Sequence, residues 1–203
     1  MTGAPNGGRT AIVTGSRALA VVLLGLALAS CTHEPQVVFI SPHLAGPPDR
    51  ISQQPRVDLA VEDGRATPII GSRGGSIDEL ATITTEGDIT PDLTKELAGE
   101  LVKQGYVVVA PGDGADVKLV IELQDLTYET GGSVLTEIKV AASVGVTCTK
   151  GGDTLTSRYK TEHREEFASA PSEEKNNELI NMVVGRSLEQ MLADQELRDF
   201  MTN

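Results

Sequence analysis

The sequence has 203 residues and a formal net charge of −12, from 17 lysine and arginine residues against 29 aspartate and glutamate residues. A chain this acidic repels phosphate-rich partners, so the charge argues against nucleic-acid binding. With no tryptophan, three tyrosines and three phenylalanines, it also offers few aromatic platforms for stacking bases or sugar rings.

The N-terminal segment has the pattern of an export signal. Arg9 and Arg17 are the charged residues that precede Cys31, and residues 18–29 are apolar or small. A run of this length fits the apolar region of a signal peptide, at roughly 7–15 residues, and is too short for a membrane-spanning helix of roughly 20. We therefore expect residues 1–30 to be a lipoprotein signal peptide that takes no part in the fold.

Cys31 follows a lipobox, the recognition motif of bacterial lipoprotein precursors. Leu28, Ala29 and Ser30 supply the aliphatic residue and the two small residues that precede the cysteine. The motif predicts a mature chain that begins at Cys31 and carries diacylglycerol and an N-acyl chain such as palmitate, a stable anchor at ~0.8 kcal/mol per buried methylene. The alternative is an ordinary secretory signal, which would leave Cys31 free or paired with Cys148.

The residue after the cysteine predicts the destination of the mature chain. Thr32 stands where an aspartate would retain a lipoprotein in the inner membrane of enteric bacteria, so we expect an outer-membrane protein that faces the periplasm. Removing Arg9 and Arg17 with the signal lowers the mature net charge to −14. Acylation would also leave Cys148 without a partner, and its place in an alternating strand pattern favours a small buried side chain over a reactive thiol.

Residues 31–55 read as a proline-rich tether between membrane and domain. Half of the ten prolines lie here, and such a segment extends by up to ~3.1 Å per residue. The run Val-Val-Phe-Ile at residues 37–40 is an exception, because it is apolar enough to dock on the domain or to add a strand.

A single domain over residues 56–203 is predicted to be α+β. An alternating strand from residue 57 leads to Asp63-Gly64, a strong hairpin-turn dipeptide, and weaker strands follow around residues 67–71 and 77–84. Thr90 is predicted to cap a helix that has Pro91 at its first position and stops at Gly105. Three long alternating strands over residues 117–128, 135–149 and 153–167, joined by Gly-Gly turns, predict an antiparallel meander.

The C-terminal part predicts two further helices. Ser172 can cap a long helix with an apolar stripe, and a short helix through Leu197, Phe200 and Met201 can pack back on the domain. The predicted fold is therefore an antiparallel sheet of roughly five to seven strands, with two main helices on one face and a short C-terminal helix.

The chain resembles the YajG family of lipoproteins from Gram-negative bacteria. Besides the lipobox, the matching stretches are V-E-D-G-R at 61–65, I-I-G-S-R at 69–73, K-Q-G-Y at 103–106 and S-L-E-Q-M-L-A-D-Q-E-L-R-D-F at 187–200. The likeness covers the mature chain, and it implies an outer-membrane lipoprotein whose biochemical role is not established. It carries over no catalytic or ligand residues.

Two arginines and one histidine are the candidates for chemistry. Arg65 and Arg73 could together grip a carboxylate or phosphate, or they could pair with Asp63, Asp58 or Glu62 as structural ion pairs. His163 shares the phase of inward residues on its strand, and a satisfied, half-buried histidine is favoured over a catalytic base.

The sequence lacks the strong catalytic and metal-binding motifs. It has no phosphate-binding glycine loop, no H-E-x-x-H, no C-x-x-C and no calcium-loop spacing. We therefore expect no enzyme activity, no metal and no cofactor besides the acyl chains on Cys31. The leading hypothesis is a membrane-anchored interaction or envelope-assembly module with a periplasmic or outer-membrane protein partner; the alternative is a carrier or sensor for a small anion, held in a groove by Arg65 and Arg73.

Overall fold

The structure, a computed structural model, describes residues 34–47, 49–74 and 81–203. The predicted signal peptide, the lipobox and Cys31 lie outside these residues. The described strands are β1 (Gln36–Val38), β2 (Arg56–Asp63), β3 (Ile69–Ser72), β4 (Thr82–Thr85), β5 (Val107–Val109), β6 (Val117–Gly131), β7 (Thr136–Lys150) and β8 (Asp153–Phe167). The helices are α1 (Thr90–Gln104), α2 (Glu173–Ala193) and α3 (Gln195–Thr202).

These strands form one mixed sheet of eight strands within the described residues. The meander β6–β7–β8 is antiparallel along its full length, as the sequence predicted. The pairs β1–β4, β2–β5, β2–β6 and β3–β6 are parallel. The prediction of an α+β fold is confirmed, whereas an antiparallel sheet of five to seven strands was wrong in both orientation and number.

The error in orientation arises at Asp63-Gly64, which does not close a hairpin between β2 and β3. Strand β2 instead pairs in parallel with the first half of β6, and β3 pairs in parallel with its second half, where Gly71 lies opposite Tyr128. Since β7 occupies the whole of the other edge of β6, β2 and β3 lie end to end along one edge. Because both strands run in the same direction as β6, the chain does not reverse at Asp63-Gly64, and the turn predicted from this dipeptide does not form.

Helix α1 begins and ends largely as its sequence predicts. Pro91 occupies the first turn, and Gly105 at φ 100° ends the helix in the left-handed conformation that a glycine adopts without strain. Thr90 is the first helical residue and does not serve as the cap; Asp88 accepts hydrogen bonds from its backbone nitrogen and its hydroxyl at 2.9 and 2.8 Å. The helix buries Leu93, Leu97 and Leu101.

Helices α2 and α3 cover the strands at the other end of the sheet. Ser172 caps α2 by accepting a hydrogen bond from the Lys175 backbone nitrogen at 3.2 Å, and α2 packs against β7 and β8. Asp194 ends α2 and caps α3, and its carboxylate also accepts a 2.6 Å hydrogen bond from the Tyr159 hydroxyl. The six predicted stripe residues of α2 are all buried, namely Ile180, Val183, Val184, Leu188, Met191 and Leu192.

Residues 36–47 belong to the domain, so the folded part starts well before residue 56. Strand β1 pairs with β4, and Val38, Ile40 and Leu44 are buried in the same core as the sheet and helices. The apolar run at 37–40 does add a strand. The segment predicted to be a tether is thus largely part of the domain, because burial of Val38, Ile40 and Leu44 stabilises its docking on the core.

A series of hydrogen bonds between buried side chains links strand β1 to α2. Tyr128 donates a 2.7 Å hydrogen bond to Asn176, which donates a 2.9 Å bond to the Gln36 side-chain oxygen. Gln36 in turn donates to the Glu173 carbonyl at 2.8 Å. Because each of these buried polar side chains has a hydrogen-bond partner, the series fixes how β1, β6 and α2 pack together.

Candidate functional site

The helices lie on one face of the sheet and leave a groove on the other. The groove has a volume of about 510 Å³ and crosses β2, β6, β7 and β8. The register of the strands brings its charged residues into one row. Glu62 lies opposite Glu122, Glu122 lies opposite Gly145, and Gly145 lies opposite Arg158. Its lining also includes Val120, Gln124, Val146, Thr147, Thr156 and Ser157.

A glycine at position 145 gives the groove its floor. A Cβ there would lie 2.3 Å from the Gln124 side-chain nitrogen, so a side chain at this position would displace the Gln124 amide from its place across β7. Gln124 donates a 2.8 Å hydrogen bond to Glu122. The groove presents carboxylates, an amide, hydroxyls and one guanidinium, which suits hydrogen bonding to a polar surface.

Sequence reasoning missed this groove. Glu62, Glu122 and Arg158 lie on three strands, and they meet only because β2 pairs in parallel with β6. The alternation of each strand did show that these residues share a phase opposite to the core, which was the available signal. The described residues contain no group of three or more histidine, cysteine, aspartate or glutamate side chains placed to hold a metal ion.

Arg65 is in a structural ion pair. Its guanidinium donates to both carboxylate oxygens of Asp63 at 2.8 and 2.7 Å and to the Thr85 hydroxyl at 3.1 Å. These hydrogen bonds hold the pKa of Asp63 below its ordinary value, against the opposing effect of partial burial. The Arg65 side chain is 5% exposed, so a ligand in solvent has little access to it.

Arg73 is engaged on a different element. It donates to the Glu173 carboxylate at 3.2 Å and to the Pro171 and Glu34 carbonyls at 3.4 Å. Its side chain is 12% exposed. Each arginine therefore has its own acidic partner, and Arg73 ties the end of β3 to the start of α2.

His163 lies on the helix-facing side of β8, as its phase predicted. Its Nε2 is 3.4 Å from a Glu165 carboxylate oxygen, which also lies 3.5 Å from the Lys175 ammonium. Two residues before His163 on the same face, the Thr161 hydroxyl accepts a 3.0 Å hydrogen bond from Ser187 on α2. His163 thus lies in a polar cluster with Glu165 and Lys175 at the edge strand of the sheet.

Cys148 is fully buried and unpaired in the described structure. Burial raises the pKa of its thiol to about 11. Only the thiolate form of cysteine is reactive, and a thiol with so high a pKa stays protonated at neutral pH. Cys148 is therefore a packing residue. The side chain fills the core beneath β7, as the alternation of that strand predicted.

A comparison with known protein families identifies the family of the chain. A profile described as "uncharacterized lipoprotein" matches residues 42–202. The chain belongs to this lipoprotein family. The family predicted from the sequence is thereby confirmed, and the start of the match at residue 42 agrees with a domain that includes the segment before residue 56. Membership in this family indicates a membrane-anchored protein of the cell envelope.

Some solved structures are similar to this lipoprotein at low sequence identity. A DUF330 protein from Xanthomonas campestris has 13% identity and a TM-score of 0.46, over 83% of this chain and 95% of its own. A minor lipoprotein from Acinetobacter baumannii has 12% identity and a TM-score of 0.42, over 70% and 90%. Lipoprotein GNA1162 from Neisseria meningitidis has 14% identity and a TM-score of 0.35, over 69% and 99%.

No curated protein is significantly similar to this lipoprotein. In the described part of the chain, no helix combines the length and apolar character needed to span a membrane.

Proposed function

We propose that this lipoprotein is anchored through acylated Cys31 in the outer membrane, faces the periplasm, and acts as a non-catalytic module that binds a protein partner. The family supports the anchor, and the lipobox supports its position. Strand β1 begins five residues after Cys31, a distance of at most ~17 Å for an extended chain. The anchor would therefore hold the domain close to the bilayer surface.

The helix-free face is the observation that carries the binding role. An eight-stranded sheet has one face covered by α1, α2 and α3, and its other face carries the polar groove of about 510 Å³. Neither candidate arginine lines this groove, and both are ion-paired and largely buried. The groove thus favours a polar protein surface as the occupant and gives no support to an anion carrier built on Arg65 and Arg73.

Fractionation of cells tests the anchor. The Cys31→Ala variant should lose labelling by radioactive palmitate and move from the membrane to the soluble periplasmic fraction, because no acyl chain then holds it. Cys148→Ala is the matched control and should stay labelled and membrane-bound. Unchanged membrane association of Cys31→Ala would contradict the proposed anchor.

Crosslinking in intact cells tests the partner. A photo-crosslinking residue introduced at Thr147 or Thr156 in the groove should capture one discrete protein, and the same residue at Glu196 on α3 should not. Capture of only abundant envelope proteins at all three positions would count against a binding role for the groove.

A further inference from the structure

Strand β8 ends the sheet with a long unpaired edge. In the described structure it pairs only with β7, over all fifteen residues from Asp153 to Phe167 and with no shift of register. The strand contains no proline. An uninterrupted edge of this length presents a row of backbone donors and acceptors on which another strand can pair.

The two faces of β8 carry different side chains. Tyr159 and Thr161 face the helices, through hydrogen bonds to Asp194 and from Ser187. The alternate residues are exposed on the helix-free face, and they bear charges in the order plus, plus, minus, plus, minus: Arg158, Lys160, Glu162, Arg164 and Glu166. The order of these charges determines which strand the edge can accept.

We propose that β8 pairs antiparallel with β8 of a second copy of the chain, about a two-fold axis that passes through His163. In this register Glu162 lies opposite Arg164 of the other copy, and Lys160 lies opposite Glu166. Symmetry repeats both pairs, so four opposite-charge pairs form across the edge. Directly opposed side chains in antiparallel strands are close enough for each pair to stabilise the contact.

The helix-facing side is compatible with the same register. It places Tyr159 of one copy opposite Phe167 of the other, which gives two aromatic pairs of a kind that stabilises cross-strand contacts. Thr161 lies opposite Glu165, and the two imidazoles of His163 meet at the axis. Both copies keep their helices on the same side, because the axis is perpendicular to the sheet.

Other two-fold registers bring like charges together. An axis at Thr161 sets Arg158 opposite Arg164, and an axis at Glu162 sets that carboxylate opposite its own copy. The remaining two-fold axes between residues 159 and 165 do the same. An axis at Tyr159 sets Arg158 opposite Lys160 of the other copy. An axis at Lys160, Arg164 or Glu165 sets that charged residue opposite its own copy. Since like charges directly opposite each other destabilise a sheet, the sequence selects the axis at His163.

Disulfide formation in the full-length protein tests this register. Positions 160 and 166 are directly opposed between copies, at Cα separations of ~4.5–5.5 Å that a disulfide spans. Within one chain they are ~20 Å apart. The double variant Lys160→Cys with Glu166→Cys should therefore form a dimer on a non-reducing gel of oxidised cells, whereas each single variant and the parent chain should stay monomeric.

A charge swap in the double-cysteine background separates the specific contact from random collision. Glu162→Arg should reduce the crosslinked fraction about ten-fold, because two attractive pairs become repulsive. Adding Arg164→Glu should restore it, because the swap re-creates opposite charges. Glu86→Arg, an equal charge change on an exposed loop, is the control and should have no effect.

Two results would overturn the proposed dimer. One is a double-cysteine variant that remains monomeric, and the other is single variants that crosslink as well as the double variant. These readouts do not depend on acylation of Cys31, so they can fail while the anchor stands. All the substituted side chains on β8 are exposed, and the double swap also restores opposite charges to the Glu162–Arg164 pair, which lies at 2.9 Å within one chain.

Discussion

At the scale of single residues, Asp63 and Arg65 make the contact with the clearest energetic consequence. The Arg65 side chain is almost fully buried, and the Asp63 carboxylate compensates its positive charge through two hydrogen bonds. Removing that carboxylate leaves a buried guanidinium with the weaker Thr85 contact. Buried charges that lose their partner are costly because the protein interior does not replace the lost hydration.

The Asp63→Asn variant should therefore lower the free energy of unfolding by about 1–2 kcal/mol at pH 7. Arg65 depresses the pKa of Asp63 in the folded state, so the stabilisation is present above the unfolded pKa and is lost as the pH falls through the folded pKa. Urea unfolding should show the difference between parent and variant narrowing below about pH 4. A difference that grows on acidification, or one matched by Glu86→Gln, would show that the pair is not the cause.

At the scale of elements, β1 decides where the domain begins. Its side chains alternate between the core and solvent, so that Val38 is fully buried whereas Val37 is 52% exposed. A tether would make the two valines equivalent. A strand makes them differ, because only one loses apolar contacts when it is truncated.

We expect Val38→Ala to destabilise the domain by about 2 kcal/mol, through lost apolar burial and the cavity left behind. Val37→Ala is the matched control and should change stability by no more than about 0.5 kcal/mol. Thermal or urea unfolding of the two variants measures this directly. Equal effects of both substitutions would restore the view of this segment as a tether.

At the scale of the whole molecule, the negative net charge is the property with the largest expected effect on stability. The chain carries a formal net charge of −12, and many of its ion pairs in the described residues involve exposed side chains. Exposed pairs contribute little, whereas the excess of like charge repels itself in the compact state. Added salt should therefore screen more repulsion than attraction.

Raising sodium chloride from about 10 to about 300 mM should increase the free energy of unfolding by about 0.5–1 kcal/mol. Urea titrations at the two salt concentrations measure the change, and potassium chloride should give the same result if screening is the cause. A lower stability in salt would mean that the ion pairs outweigh the net charge.

The sequence by itself determined the elements whose signals are local. The long strands β6, β7 and β8 follow from two-residue alternation, α1 and α2 from caps and apolar stripes, and the burial of Cys148 from its phase within β7. The lipoprotein family also followed from motifs in order along the chain. These properties depend on near neighbours, so one sequence is enough to predict them.

Only the tertiary structure decided what meets across the sheet. The dipeptide Asp63-Gly64 predicts a hairpin turn, but the structure instead pairs β2 in parallel with β6, and this pairing assembles the groove from Glu62, Glu122 and Arg158. The partners of Arg65 and Arg73 and the docking of β1 likewise depend on residues distant in the chain. Such contacts are selected by the burial and hydrogen bonding of the whole domain, because no local pattern distinguishes among the edges on which a strand can pair.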